Sequence, residues 1–108
     1  YMFGYNNLVS DMRSLVIMKE NDCPIVYDAS HSVQRPGAKI GASSGDSKFI
    51  IPLAKAACAV GIDGLFVESH PDPANAISDG DNCININDIE ILIKNIISIN
   101  NARSVELT

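Results

Sequence analysis

The sequence is poor in basic residues, which narrows the range of its partners. Lys and Arg together number 8 in 108 residues, against 13 Asp and Glu, so the formal net charge is −5 at pH 7. The basic residues are scattered along the chain, whereas proteins that bind nucleic-acid phosphates carry clustered Lys and Arg. We therefore expect no nucleic-acid partner.

Long apolar runs and paired cysteines are lacking as well. No apolar run approaches the roughly 20 residues that cross a bilayer. The opening YMFGYNN has neither the basic start nor the small-residue cleavage site of a signal peptide. Cys23, Cys58 and Cys83 lie far apart without a CxxC pair, a spacing typical of reduced thiols. We expect a cytoplasmic protein that does not bind membranes.

The composition that remains is that of a folded domain. Hydrophobic residues make up 46% of the chain and charged residues 19%, as in globular proteins, and the length fits a single domain. Apolar spacing and the positions of Gly and Pro predict the order α–β–α–β–α. The predicted helices are Asn7–Lys19, a second one capped by Asp46 or Ser47 and ended by Gly61, and a third from Asn87, its cap, to about Asn100; the predicted strands are Ile25–Tyr27 and Gly64–Ser69.

The two predicted strands carry short apolar runs without polar alternation. Such runs are expected of strands that are buried on both faces of a parallel sheet. Because a helix joins the two strands, they predict a parallel βαβ unit.

Both predicted strands end in polar side chains. The first, within the stretch IVYDASHSVQRPG, runs into Asp28, Ser30 and His31, and the second runs into Glu68, Ser69 and His70. In parallel α/β folds the carboxyl ends of the strands point into the ligand site. The sequence therefore predicts one site formed by the two strand ends together.

A third segment adds Asp79, in the loop after the second strand. The imidazole of His31 and the carboxylates of Glu68 and Asp79 are donors that bind divalent metals, but their spacing matches no short metal motif. The alternative is a hydrogen-bonded polar cluster that closes the end of the sheet. Two roles are open for Asp28, holding the loop or orienting His31. For His70, hydrogen bonding at the strand end is the simpler interpretation.

Three motifs, in their order along the chain, resemble one enzyme family. They are FGYNNLVSDMRSLVIMK, then DASHSVQRPG followed by SSGD, and then GIDGLFVESHPDPANAISDG. They are similar to the C-terminal part of 3-deoxy-D-manno-octulosonate 8-phosphate synthase, and the similarity loosens after about Asn85. The resemblance implies an α/β fold, namely the C-terminal portion of a (β/α)8 TIM barrel. This portion would begin at about the sixth helix and continue through the seventh strand, seventh helix and eighth strand to the eighth helix. A related heptulosonate 7-phosphate synthase shares the barrel and the chemistry.

The resemblance also implies a reaction and its partners. The family condenses phosphoenolpyruvate with D-arabinose 5-phosphate, releases phosphate, and so supplies a precursor of lipopolysaccharide. We expect these two substrates for the present chain. We also expect a homo-oligomer, a tetramer by analogy with the family.

Three site residues follow from the resemblance. His31 matches the family's imidazole ligand at the end of the seventh strand, Glu68 the carboxylate at the end of the eighth, and Asp79 the carboxylate of the SDG loop. In metal-dependent members these join a first-strand cysteine around a divalent metal such as Zn, Fe or Mn, and metal-independent members have asparagine in place of that cysteine. No cysteine of this chain matches that position, so both forms stay open. We predict catalytic roles for all three residues.

Substrate contacts are expected from a neighbouring segment. Gln34 and Arg35 stand where the family's mobile active-site loop begins, and that loop would run to about Asp46. We predict that Gln34, Arg35 and Asp28 bind substrate.

The length of the chain leaves two hypotheses. A complete barrel of this family needs roughly 260 residues, and the sequence predicts a single partial barrel domain over residues 1–108, without the family's N-terminal strands. The first hypothesis is an enzyme whose remaining strands lie outside this sequence. The alternative is an inactive, non-enzymatic fragment that survives by associating with itself.

Overall fold

The computed structural model describes residues 10–33, 47–73 and 83–103. Within these ranges the chain forms three α-helices and four short strands. In chain order they are α1 (Arg13–Lys19), β1 (Val26–Asp28), α2 (Ile50–Val60), β2 (Gly64–Phe66), β3 (Glu68–His70), β4 (Cys83–Asn85) and α3 (Ile89–Arg103). None of these helices is long and apolar enough to cross a membrane.

The predicted parallel βαβ unit is confirmed. β1 and β2 pair in parallel with Tyr27 opposite Leu65, and α2 lies between them in the chain. The Asp63 side chain accepts the Ile25 N–H at 2.8 Å. The Ile25 carbonyl in turn accepts the N–H groups of Asp63 at 2.9 Å and Gly64 at 3.1 Å. These bonds fix the register where the strand pair begins.

The second predicted strand changes its partner at Val67. β2 pairs with β1, whereas β3 pairs in parallel with β4, where Glu68 lies opposite Cys83. The sequence pattern does not predict β4, because three residues between a polar loop and a helix are too few to show an alternation. The predicted order therefore lacks one strand.

One face of the β1–β2 pair is buried and the other is open. Ile25 and Tyr27 are buried, whereas Val26 is 63% exposed and Phe66 is 46% exposed. Side chains alternate along a strand, so Val26 and Phe66 share the face opposite to Tyr27. The prediction that these strands are buried on both faces is wrong for the described residues, because the helices cover one face only.

The core lies between the buried face of the strands and the helices. It consists of Leu15, Ile25, Tyr27, Ala29, Val33, Ile50, Ala54, Ala57, Ile84 and Leu92. Pro52 lies in the first turn of α2, where the missing N–H interrupts no helical hydrogen bond. Gly61 ends α2 with φ of +115° and donates its N–H to Ala57 at 3.0 Å. Of the two predicted caps, Asp46 lies outside the described residues. Ser47 is not the cap, since a 3₁₀ turn occupies Ser47–Phe49 and Phe49, at the N-cap position, makes no side-chain cap hydrogen bond.

α1 begins at Arg13, later than the predicted start at Asn7. Residues 1–9 lie outside the described ranges, but residues 10–12 precede the helix. Asp11 explains the start, because its Oδ1 accepts the Arg13 N–H and its carbonyl accepts the Ser14 N–H, both at 3.0 Å. Hydrogen bonds from the Arg13 side chain and backbone lower the pKa of the Asp11 carboxyl.

α3 begins at Ile89, and Asn85 provides the hydrogen bond that was predicted for Asn87. The Asn85 side chain accepts the Asn87 N–H at 2.9 Å, and a 3₁₀ turn follows before the helix. Asn is a good cap at either position, so residue type does not distinguish them. Along α3, Leu92 is buried while Ile93 and Ile97 are 51% and 55% exposed. The apolar residues of α3 are therefore only partly covered by the described residues.

Candidate functional site

β1 ends in a carboxylate that organises the turn after it. Oδ1 of Asp28 accepts the backbone N–H groups of Ser30 at 3.0 Å and His31 at 2.9 Å. These bonds lead the chain into the 3₁₀ turn His31–Val33. Oδ2 of Asp28 lies 2.8 Å from Nδ1 of His31. Both roles that were left open for Asp28 are therefore present, since it holds the loop and orients the imidazole.

The His31 ring is oriented by contacts on three sides. Besides Asp28 on Nδ1, Oε1 of Glu68 lies 3.5 Å from Nε2, and the ring stacks on Phe66 with centroids 6.1 Å apart. A carboxylate accepts hydrogen bonds, so a neutral His31 ring that donates its Nδ1–H to Asp28 carries its lone pair on Nε2. The side chains of His31 and Glu68 are 39% and 30% exposed. The His31 side chain is thus held in place and partly exposed.

Glu68 is held at its backbone and contacted at its side chain. Its N–H donates to Oγ of Ser30 at 2.6 Å, and Ser30 is fully buried. Sγ of Cys83, which lies opposite on β4, is 3.9 Å from Oε2. In the sequence Ser30 stands out only as a polar residue at a strand end, and Cys83 and Phe66 carry no signal of a site role. The alternation of side chains could have revealed Phe66, since it lies two residues before Glu68.

The structure brings together Asp28, His31 and Glu68 from the predicted set. Gln34, Arg35 and Asp79 lie outside the described residues, as does the predicted loop to Asp46. The ring of His70 accepts the Asp72 N–H at 2.9 Å, which agrees with the simpler interpretation of His70 as a hydrogen-bonding residue at the strand end.

His31 and Glu68 fit two positions of a divalent-metal site. Their Nε2 and Oε1 atoms are 3.5 Å apart, and two ligands of a tetrahedral ion, each about 2.1 Å from it, would lie about 3.4 Å apart. Among residues 10–33, 47–73 and 83–103, no three His, Cys, Asp or Glu side chains form a group that could hold a metal. The predicted third ligand, Asp79, is outside these ranges. The pair also fits the metal-free alternative, with water or a proton between nitrogen and carboxylate.

Comparison with known proteins places the chain in a family. Residues 1–102 match the model of the DAHP synthetase I family. The chain belongs to this family. The 2-dehydro-3-deoxyphosphooctonate aldolase of Legionella pneumophila (strain Lens) is 70% identical over 80 residues, which are 74% of this chain and 29% of that protein. The proteins of that name from Xylella fastidiosa (strain 9a5c) and Desulfotalea psychrophila are each 56% identical over 97 residues, 90% of this chain and 35% of theirs.

The family is also evident among solved structures. The crystal structure of phospho-2-dehydro-3-deoxyheptonate aldolase (DAHP synthase) from Thermotoga maritima matches with a TM-score of 0.76 and 28% identity over 99% of this chain and 29% of that one. The mixed helices and parallel strands are consistent with part of the barrel of such a synthase. The aldolase name is another name of the octulosonate 8-phosphate synthase, so the resemblance seen in the motifs is confirmed. The chain spans about a third of the length of these relatives.

Proposed function

We propose that this chain forms part of an enzyme that condenses phosphoenolpyruvate with D-arabinose 5-phosphate, giving 3-deoxy-D-manno-octulosonate 8-phosphate and phosphate for lipopolysaccharide synthesis. The observation that supports this proposal most directly is the pair of His31 and Glu68 at neighbouring strand ends, with Nε2 and Oε1 3.5 Å apart. The 70% identity to the Legionella enzyme supports the choice of substrates.

The described elements fit the last quarter of a (β/α)8 barrel. In this assignment β1 is the seventh strand, β2 and β3 together are the eighth, and α1, α2 and α3 are the sixth, seventh and eighth helices. The open face of Val26 and Phe66 supports it, because the interior of a closed barrel is lined by side chains from every strand. Residues 1–108 would then form a single, partial barrel domain.

The reaction needs a group that takes up a proton where water adds. The C3 carbon of phosphoenolpyruvate attacks the sugar aldehyde, water adds at C2, and phosphate leaves. Nε2 of neutral His31 would accept a proton from that water, and the carboxylate of Asp28 at Nδ1 would stabilise the imidazolium that results. Glu68, facing the same nitrogen, would hold the water in line. Each of these roles follows from atoms that already face one another.

The same residues could also hold a divalent metal. The residues that would hold it are His31, Glu68 and Asp79, and it would supply Lewis-acid polarisation of the aldehyde or activation of the water. Asp28 would then orient the metal-bound imidazole through its second nitrogen, as partners of metal-binding His commonly do. Substrate binding by Gln34, Arg35 and Asp28, the homo-oligomer and the cytoplasmic location stay predictions.

A second candidate is the non-enzymatic fragment. The open apolar face, on which Val26 is 63% exposed and Phe66 46% exposed, is also what this candidate requires. Pairing of strand edges between copies would cover such a surface.

Binding of phosphoenolpyruvate separates the two candidates. We would titrate it into the ¹⁵N-labelled protein and follow the imidazole signals of the two histidines by NMR. The synthase predicts saturable shifts at His31 with little change at His70, whose ring is engaged by the Asp72 N–H. Absence of any shift up to high millimolar ligand, in this chain joined to the other barrel strands that the proposal requires, would support the fragment and contradict the synthase.

A further inference from the structure

In the site, a side-chain hydrogen bond replaces a backbone hydrogen bond where the chain leaves β1, between β2 and β3. The Ala29 N–H donates to the Phe66 carbonyl at 2.9 Å and continues the ladder one residue beyond β1. At Glu68, where the strand has turned to pair with β4, the N–H donates instead to the Ser30 hydroxyl at 2.6 Å. A side chain thus serves as acceptor at the point where the strand changes partner.

The burial of Ser30 makes this bond hard to replace. Ser30 is fully buried, so water cannot readily substitute for its hydroxyl, and a partly buried N–H without an acceptor is costly. The backbone of Ser30 is fixed too, because its N–H donates to Oδ1 of Asp28 at 3.0 Å. The hydroxyl is therefore a rigid acceptor.

Two routes consequently join Asp28 to Glu68. One runs from Oδ2 through the His31 imidazole to the Glu68 carboxylate, and its last step is the 3.5 Å contact. The other runs from Oδ1 through Ser30 to the Glu68 backbone. The second route has the shorter contact at Glu68, 2.6 Å against 3.5 Å, so it sets the strand separation across which the first must reach.

We propose that Ser30 is a positioning residue that fixes Glu68 relative to His31. Its hydroxyl holds the Glu68 backbone against the turn that carries the imidazole, and so determines the distance between Nε2 and Oε1. Cys83 is a weaker candidate for this task, because its sulfur is 3.9 Å from Oε2. The proposal rests on the proposed function only for the identity of the reacting pair.

The test measures how strongly the imidazole ¹⁵N signals of His31 respond to the Glu68 carboxylate. The chain has two histidines, so His70 serves as an internal reference in imidazole ¹⁵N spectra. Glu68→Gln should shift the Nε2 signal of His31 in the otherwise unmodified protein. In the Ser30→Ala background the same substitution should have little effect, because the carboxylate no longer lies at a fixed distance. Ser30→Thr, which keeps a hydroxyl, should restore the effect.

A matched control comes from the same turn. The Ser32 hydroxyl contacts Tyr27 Oη at 3.1 Å and Ala29 O at 3.3 Å, so Ser32→Ala removes a hydroxyl close to the site with no bond to Glu68. It should leave the response of His31 to Glu68→Gln unchanged. An equal response in the Ser30→Ala background would overturn the proposal, since Ser30 would then support the fold alone.

A measurement on the unmodified protein keeps the proposal testable if Ser30→Ala does not fold. Its Glu68 amide should exchange with solvent at least roughly tenfold more slowly than an unstructured amide of the same sequence, as one hydrogen bond predicts. Exchange at the unstructured rate would contradict the proposal. Phosphate release from the two substrates is measured separately. If His31 responds to Glu68 as expected but no phosphate is released, the proposed function alone is refuted. If phosphate is released but the response of His31 to Glu68→Gln does not depend on Ser30, the positioning role alone is refuted.

Discussion

Replacing Asp28 with Asn should change the tautomer of His31. In the native site Oδ2 accepts from Nδ1 at 2.8 Å, which leaves the lone pair of the neutral ring on Nε2, facing Glu68. The amide nitrogen in Asp28→Asn is a donor, and its oxygen is already engaged by the N–H groups of Ser30 and His31. Nδ1 must then become the acceptor, so the proton moves to Nε2. His31 would lose the atom that takes up a proton or binds a metal.

The magnitude follows from the bonds that change. Asp28→Asn keeps the oxygen for both backbone N–H groups, so only the contact with Nδ1 is altered. Such a bond contributes about 1–2 kcal/mol, and with side chains 39% and 44% exposed we discount this for water to a loss of about 0.5–1 kcal/mol in the free energy of unfolding. Asp28→Ala removes all three bonds and should cost about 2 kcal/mol. Metal affinity or turnover should fall roughly ten- to a hundredfold for Asp28→Asn.

The assay is the imidazole ¹⁵N spectrum at about pH 8, where an ordinary imidazole is neutral, with urea unfolding of the same samples. Asp28→Asn should exchange the protonated and unprotonated nitrogen signals of His31 and leave those of His70 in place. A His31 that keeps its proton on Nδ1 in Asp28→Asn would refute the assignment of Asp28 as the orienting group. A small loss of stability together with the tautomer change would separate this role from general destabilisation.

Three further predictions concern the fold. Ile50→Ala should lower the free energy of unfolding, measured with urea, by about 2–5 kcal/mol, because Ile50 is fully buried. Ile93 is 51% exposed, so Ile93→Ala should change it by about 0.5 kcal/mol or less. Equal losses would contradict the packing. Gly61→Ala should cost about 1–3 kcal/mol in the same assay, because φ is +115° there, and an unchanged midpoint would contradict that conformation. Since hydrogen bonds from Arg13 lower the pKa of Asp11, the stability they contribute is present above about pH 3.9, the usual Asp pKa, and is lost as pH falls through the lower folded value. Asp11→Asn should remove that part of the acid dependence of unfolding, and an unaltered acid profile would argue against the pair.

The site could be predicted because it depends on a general property of parallel sheets. The carboxyl ends of neighbouring parallel strands meet at one edge, so Asp28, His31 and Glu68 come together once the βαβ unit is recognised. The end of α2 was equally predictable, because Gly61 has a local conformational preference. Both inferences use only residue type and local spacing.

The features that could not be predicted depend on contacts distant in sequence. The partner of the Ser30 hydroxyl is Glu68, 38 residues away, and nothing near Ser30 indicates it. The same holds for β4, which exists because the strand leaves β1 at Val67 and finds a new neighbour. The exposure of Val26 likewise depends on which strands lie beside it, and a run of three apolar residues does not reveal that.

The most direct test of the central claim is phosphate release from phosphoenolpyruvate and D-arabinose 5-phosphate by this chain together with the other barrel strands that the proposal requires, measured with and without a chelator. If His31 and Glu68 are the reacting pair of this synthase, phosphate is released, and His31→Ala lowers the rate by about 2–4 orders of magnitude while His70→Ala does not. Loss of release on chelation would identify the metal-dependent form, and release that resists the chelator the metal-independent form. No release from that completed barrel, or a normal rate for His31→Ala, would contradict the account.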